Sequence, residues 1–381
     1  MAMTRRLRTA CLLLVTSIGV LLLSQCAGNN APSAARLGGE CPKTPLGLLS
    51  MPGAGALMRL NPALVIADTV APSDTSTSVV IHPDIKDQIT CGKVSIKTIA
   101  DVVFSKPTLS SGKSLALAMD VLVPQSAGQK PLVVYLPGGG FIRAPKEGAL
   151  DLRTFVAEAG FVVASVQYRT SSDGATYRDS IADAKSAIRY LRAHAGEYSI
   201  DPDRIGVWGE SAGGYVAAMT GLTSGEQDFD RGENLDRSSA VRAVIDKFGP
   251  SDTSKIAADF DAKTRQASAK RGSYVSVFMG AGAEGQVAAA AANPLAHIDA
   301  SDPACLILHG SQDKLVSPSQ TLILHDALKA AHVDSTRYVL DGAGHGDLAF
   351  LGDDESGLPW SSSQTMGIMV DFLKRTLGSP R

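Results

Sequence analysis

The chain has 381 residues, 44% of them apolar and 19% charged, with a formal net charge of −2. That length corresponds to roughly two and a half average domains, or to one large α/β domain with insertions. The apolar share can bury a sizeable core, which excludes disorder. Thirty-six basic residues against 38 acidic ones leave no excess for phosphates, and 37 Gly and 19 Pro show no period. A nucleic-acid binder, a collagen and a repeat array are therefore excluded.

The first 26 residues read as an export signal. Arg5, Arg6 and Arg8 precede an apolar stretch from Ala10 to Leu23. At ~1.5 Å per residue that stretch is short for ~30 Å of hydrocarbon, so a signal peptide fits better than a permanent span. Residues 22–26, LLSQC, are similar to a lipobox, with Gln25 where a small residue is usual. Cys26 is the candidate lipid attachment site, through which the chain would be held at a membrane; ordinary cleavage between Cys26 and Ala35 is the alternative. The expected location is the cell envelope, as a lipoprotein, or the exterior. No other run reaches ~18 apolar residues. Cys305 lies in the apolar run ACLILHG and reads as inert core. Cys41 and Cys91 remain, and an oxidising compartment allows them to bridge. No Cys-x-x-Cys or His-x-x-x-His spacing suggests a metal, and no cofactor is expected.

Residues 27–88, rich in Pro, Gly, Ala, Ser and Thr, read as a linker and an irregular arm. From residue 89 the pattern becomes regular, and 89–381 read as one α/β domain. VSIKTIADVVF and LALAMDVLVP flank the turn SSGKS as an antiparallel pair. Apolar strands then alternate with helical stretches. LVVYLPG (132–138) precedes a helix near 147–159, and FVVASVQYR (161–169) precedes the amphipathic YRDSIADAKSAIRYLRAHAGEY. RIGVWG (204–209) runs into SAGGYVAAMTGL, and AVIDKFG (243–249) follows. ACLILHG (304–310), a helix from Thr321, TRYVLDG (336–342) and a helix near 364–376 complete the order. Short buried strands alternating with helices predict a mostly parallel sheet covered on both faces. Residues 251–300 interrupt the alternation and read as a lid or cap insertion.

In such sheets chemistry gathers at the C-terminal strand ends. WGESAGG places G-x-S-x-G at Gly209, Ser211 and Gly213, between a strand and a helix. A lone motif of this kind in a Gly-rich chain reads equally as a turn. The strand-turn-helix context favours a nucleophile elbow, which exposes the hydroxyl at the sheet edge. A serine at pH 7 needs a base held in one tautomer by an acid, in the chain order Ser, Asp, His. LHGSQDKLV supplies Asp313 after one late strand and GAGHGD supplies His345 after the next. His309 competes but ends a buried strand and reads as hydrogen-bonded within the core. His297, His325 and His332 read as surface or packing residues, and Asp302 as a turn residue. LPGGGF (136–141) offers the N–H groups of Gly139 and Gly140, with that of Ala212, as an oxyanion hole. Phe141 and Tyr215 are candidates to line the pocket, with core packing as the alternative. Glu210 and Asp252 read either as substrate contacts or as structural groups. GAGAEG (280–285) fits G-x-G-x-x-G, but Asn293-Pro294 ends the following helix and no acid stands on a next strand, so it reads as part of the cap.

YRDSIADAKSAIRYLRAHAGEYSIDPDRIGVWGESAGG, VIDKFGPSD, NPLAHI, LILHGSQDKLV and GAGHGD resemble, in order and spacing, the α/β-hydrolase esterases of the BD-FAE and hormone-sensitive-lipase-like group. The resemblance covers about residues 115–376. It implies Ser211 as nucleophile, Asp313 as acid and His345 as base, and a short-chain acyl ester as substrate, acetylated or feruloylated saccharides included. One departure is plain: Pro137 stands where the family's oxyanion loop carries the His of H-G-G-G. An amide- or peptide-cleaving hydrolase and a non-catalytic ligand-binding lipoprotein are the alternatives, and the sequence leaves the oligomeric state open.

Overall fold

The computed structural model describes residues 38–43, 65–270, 275, 278–280, 290–346 and 357–378. The signal stretch with Cys26 lies outside them, as do residues 281–289 with most of the glycine motif of the cap.

Eleven strands are present among the described residues: β1 Gly39–Glu40, β2 Val79–Ile81, β3 Thr90–Cys91, β4 Ile96–Ser105, β5 Leu117–Pro124, β6 Lys130–Leu136, β7 Val162–Val166, β8 Ile200–Glu210, β9 Ala243–Lys247, β10 Ala304–Gly310 and β11 Ser335–Leu340. The helices are α1 Leu150–Glu158, α2 Tyr177–Ala193, α3 Ala212–Leu222, α4 Ala262–Lys270, α5 Ser319–Ala330 and α6 Ser363–Leu377. Nine strands form one sheet in the order β2-β11-β10-β9-β8-β6-β7-β5-β4, in which only β5 runs against the rest. β1 and β3 pair separately, and the Cys41–Cys91 disulfide closes that corner.

Both faces of the sheet are covered, which is why its central strands are apolar without alternation. Leu132, Val134 and Leu136 of β6 join α2, α3 and α5 in one core cluster. Val133 and Tyr135 of the same strand join α1 and α6 in the other. Local chemistry sets the helix ends. A capping box of Thr176 and Asp179 starts α2, and Ser362 caps α6 through the Thr365 N–H. All of α3 is buried, so it can be apolar all round.

The arm is more ordered than a composition reading gives. Val79–Ile81 adds a parallel edge strand beside β11. Ala67 packs with Ala257 and Phe260, and Val70 bridges Phe260, so the arm is stitched to the start of the insertion. Three residues of strand carry no readable period, and pairing here depends on the edge that β11 offers. Within the insertion the described residues hold α4 and short 3₁₀ turns at Thr253–Lys255 and Pro294–His297. Among the described residues no helix is long and apolar enough to cross a membrane.

Candidate active site

Four loops at the C-terminal ends of β6, β8, β10 and β11 converge. Ser211 follows β8 with φ 54° and ψ −122°, a conformation an L-residue holds only when its surroundings impose it. Its N–H donates to the Lys247 carbonyl at 2.9 Å. The elbow passes so close to β6 that a Cβ on Gly213 would run into the Leu136 carbonyl.

The Ser211 hydroxyl donates to His345 Nε2 at 2.8 Å, and His345 Nδ1 donates to Asp313 Oδ2 at 2.6 Å. Asp313 is fully buried and His345 nearly so. The other carboxylate oxygen, Oδ1, accepts the N–H groups of Leu315 and Val316, both at 2.9 Å. Burial pushes the Asp313 carboxyl up. The charge of His345 and hydrogen bonds from His309 and His345 outweigh it and hold the group well below the usual carboxylate range. The arrangement can move a proton from Ser211 onto His345 and stabilise the resulting imidazolium.

The glycine loop folds back on itself as a turn. Gly139 O accepts from Ile142 N and Arg143 N, and Gly140 sits at φ 63°. No hydrogen bond among the described residues takes the N–H of Gly139, Gly140 or Ala212. The loop is braced from the segment after β7. The buried Tyr168 hydroxyl donates to Pro137 O at 2.6 Å. Thr170 Oγ1 donates to Ile142 O, and the Ser171 N–H and hydroxyl both donate to Phe141 O. Arg169 anchors that segment to α2 through a two-pronged contact with Asp183, 2.8 Å on each arm. The position opened by Pro137 is thus steadied by a tyrosine.

Two expected pocket residues are elsewhere. Phe141 stacks on Phe278 at 4.7 Å and meets Tyr215 edge-on. The fully buried Tyr215 spends its hydroxyl on the Ala292 carbonyl at 2.7 Å. Both rings are buried and tie the loop and α3 to Phe278 and Ala292. Phe141 holds a positive φ of 63° in this loop.

Three residues essential to this geometry escape a motif reading. Lys247 pairs with Glu210 at 2.6 Å, and Glu210 also accepts from the Tyr135 hydroxyl. Phe248 packs on the His345 ring at 4.6 Å, and Trp360 donates to Gly344 O at 3.1 Å. A lysine inside the buried-strand run AVIDKFG was the one available signal. Asp252 caps the turn that follows it and pairs with Lys255. No grouping of His, Cys, Asp and Glu among the described residues is arranged to hold a metal ion.

A parallel sheet carrying serine on a strand-helix elbow, with acid and histidine after its last strands, is an α/β-hydrolase. The BD-FAE family model matches residues 119–328, and the chain belongs to that family. It is 29% identical over 214 residues to a probable carboxylic ester hydrolase, LipM, of Mycobacterium tuberculosis, covering 53% of this chain and 46% of that protein. The chain spans about half the length of the first curated relatives it matches. Among solved structures it is similar to a truncated carbohydrate esterase from gut microbiota: 26% identity, TM-score 0.60, covering 74% of this chain and 96% of that one. It is also similar to Thermogutta terrifontis esterase 2 phosphoramylated by tabun: 25% identity, TM-score 0.57, covering 76% and 97%.

Proposed function

We propose that this protein is a serine carboxylic-ester hydrolase that cleaves short-chain acyl esters through an acyl-enzyme intermediate, with esterified saccharides as its natural class of substrate. The observation that carries the reading is the continuous path from Ser211 Oγ through His345 to Asp313, with bonds of 2.8 and 2.6 Å. His345 takes the Ser211 proton as the hydroxyl attacks the ester carbonyl. The developing oxyanion meets the unclaimed N–H groups of Gly139, Gly140 and Ala212, each donor worth roughly 3 kcal/mol in the transition state. The imidazolium then passes its proton to the leaving alcohol. Water repeats the sequence on the acyl-enzyme, with His345 again as base and Ser211 as the leaving group. The saccharide preference is supported by the similarity to a carbohydrate esterase.

The test is hydrolysis of p-nitrophenyl esters from acetate to palmitate, with Ser211→Ala alongside. Rapid cleavage of acetate and butyrate that fades with chain length, and a loss of ~10⁶ in kcat for the variant, are expected. Turnover that survives Ser211→Ala would reject the assignment. Folded wild-type protein with no turnover would favour a ligand-binding role, and cleavage of matched amides at comparable rates would favour a peptide or amide substrate.

A further inference from the structure

His309, next to last in β10, reads from the sequence as a core residue, and the structure gives its ring a specific place. His309 is fully buried. Its Nε2 faces two acceptors, Asp313 Oδ2 at 3.0 Å and the Val316 carbonyl at 3.1 Å. A nitrogen surrounded by acceptors must carry the proton, so Nδ1 of the neutral ring is an acceptor. Nδ1 lies 2.8 Å from Thr321 Oγ1, which accepts from Arg337 Nε at 3.0 Å; the single hydroxyl hydrogen has two acceptors in reach, Nδ1 and the more distant Pro318 carbonyl at 3.2 Å, and the shorter contact is the one to Nδ1. The donor directions therefore run one way, from Arg337 to Thr321 to His309 to Asp313. There they meet the bond from His345 on the same carboxylate oxygen.

We propose that His309 is a positioning residue, donating from Nε2 to the shared Oδ2 of Asp313 and so setting how much of that carboxylate's charge His345 feels. The kinetic part of this inference rests on the ester-hydrolase reading above. Burial lowers the proton affinity of His309, with Asp313 opposing and Arg337 and His345 adding to the effect, so the ring stays a neutral donor. The charged and titratable groups acting on this chain are Asp313 and His345 on the two loops and Arg337 on β11, with Asp326 of α5, Asp259 and Asp74 acting in turn on Arg337. None of these replaces the lost donor, because the one cation, Arg337, spends its guanidinium on Thr321, Ser78 and the Pro318 carbonyl.

With His309 in place Asp313 accepts four bonds, two on each oxygen. Without it, more negative charge on Oδ2 falls to His345. The protonated imidazole is then favoured, and the histidine is disabled as a base at a higher pH.

Two variants separate positioning from packing. His309→Gln carries its amide nitrogen to the place of Nε2 and keeps the bond to Asp313. His309→Asn carries it only as far as Nδ1, next to Thr321. The acid limb of kcat/KM for p-nitrophenyl acetate is expected to move up by about half to one pH unit in His309→Asn and to stay near wild type in His309→Gln. KM should hold within about twofold while kcat falls about tenfold in the Asn variant. Thermal melts show whether each variant is folded. Acid limbs that coincide in wild type and both folded variants would overturn the inference and leave His309 as packing.

An NMR titration of the His345 Cε1–H needs no turnover and keeps the two readings apart. An upward move in the Asn variant but not the Gln variant upholds the positioning role even if wild type hydrolyses nothing. An unmoved titration rejects it even if the enzyme is active.

Discussion

Lys247 ties the serine elbow to the histidine loop, and replacing it tests that link. Its Nζ is 2.6 Å from Glu210 Oε1, with side-chain exposures of 1% and 16%. The rings of Trp208, Phe248 and Trp360 stand 5.6, 5.7 and 5.0 Å from the same nitrogen. Removing one member of a buried ion pair costs about 3–5 kcal/mol, because the other is left as an uncompensated charge. In Lys247→Met, Glu210 keeps its bond from the Tyr135 hydroxyl at 3.1 Å and some exposure. The low end, about 3 kcal/mol, is therefore expected. That is a large part of a typical domain stability of about 5–15 kcal/mol. Lys247→Met/Glu210→Gln strands no charge and should return to within about 1 kcal/mol of wild type. Urea unfolding measures both, and ester hydrolysis measured in parallel should fall in the single variant, because the charge left uncompensated sits on Glu210, the residue directly before Ser211. A single-variant loss under about 1 kcal/mol, or a double variant as unstable as the sum of its parts, would refute the argument.

Two further outcomes follow from buried groups near the site. Burial lifts the Asp246 carboxyl from 3.8 to about 7. The folded chain then holds a proton that the unfolded chain has released, and stability falls as pH rises through that window. Asp246→Asn can still accept from the Gly249 N–H, as Asp246 does at 2.9 Å, and should flatten the decline. Melting temperatures across pH 4–8 that change in parallel for both proteins would contradict this. Tyr168→Phe strips the hydroxyl from Pro137 O, leaving a buried carbonyl at a cost of about 1–3 kcal/mol. With the glycine loop loosened, kcat should drop by about tenfold or more at nearly constant KM if its N–H groups are the proposed oxyanion donors, since each such donor is worth far more in the transition state. Unchanged kcat would show that Tyr168 is no brace.

The placement of Ser211, Asp313 and His345 in loops after apolar strands was readable in the sequence, because a strand-and-loop pattern is a local property of the chain. The alternation of short apolar runs with amphipathic helices likewise announced a parallel sheet buried on both faces, since burial period is written residue by residue. Partners and directions are not local. Tyr168 reaches Pro137 only because β6 and β7 lie side by side. Lys247 finds Glu210 only because β8 and β9 are in register there. Phe141 and Tyr215 carry the composition of pocket residues, yet contacts with each other, with Phe278 and with the Ala292 carbonyl hold them in the core. His309 was correctly read as buried, but burial alone did not say which acceptor its ring would meet. The sequence by itself determined which residues had the chemistry and which faces were apolar. The tertiary structure decided which groups touch, because close packing between strands distant in the chain leaves each buried polar atom a small set of partners.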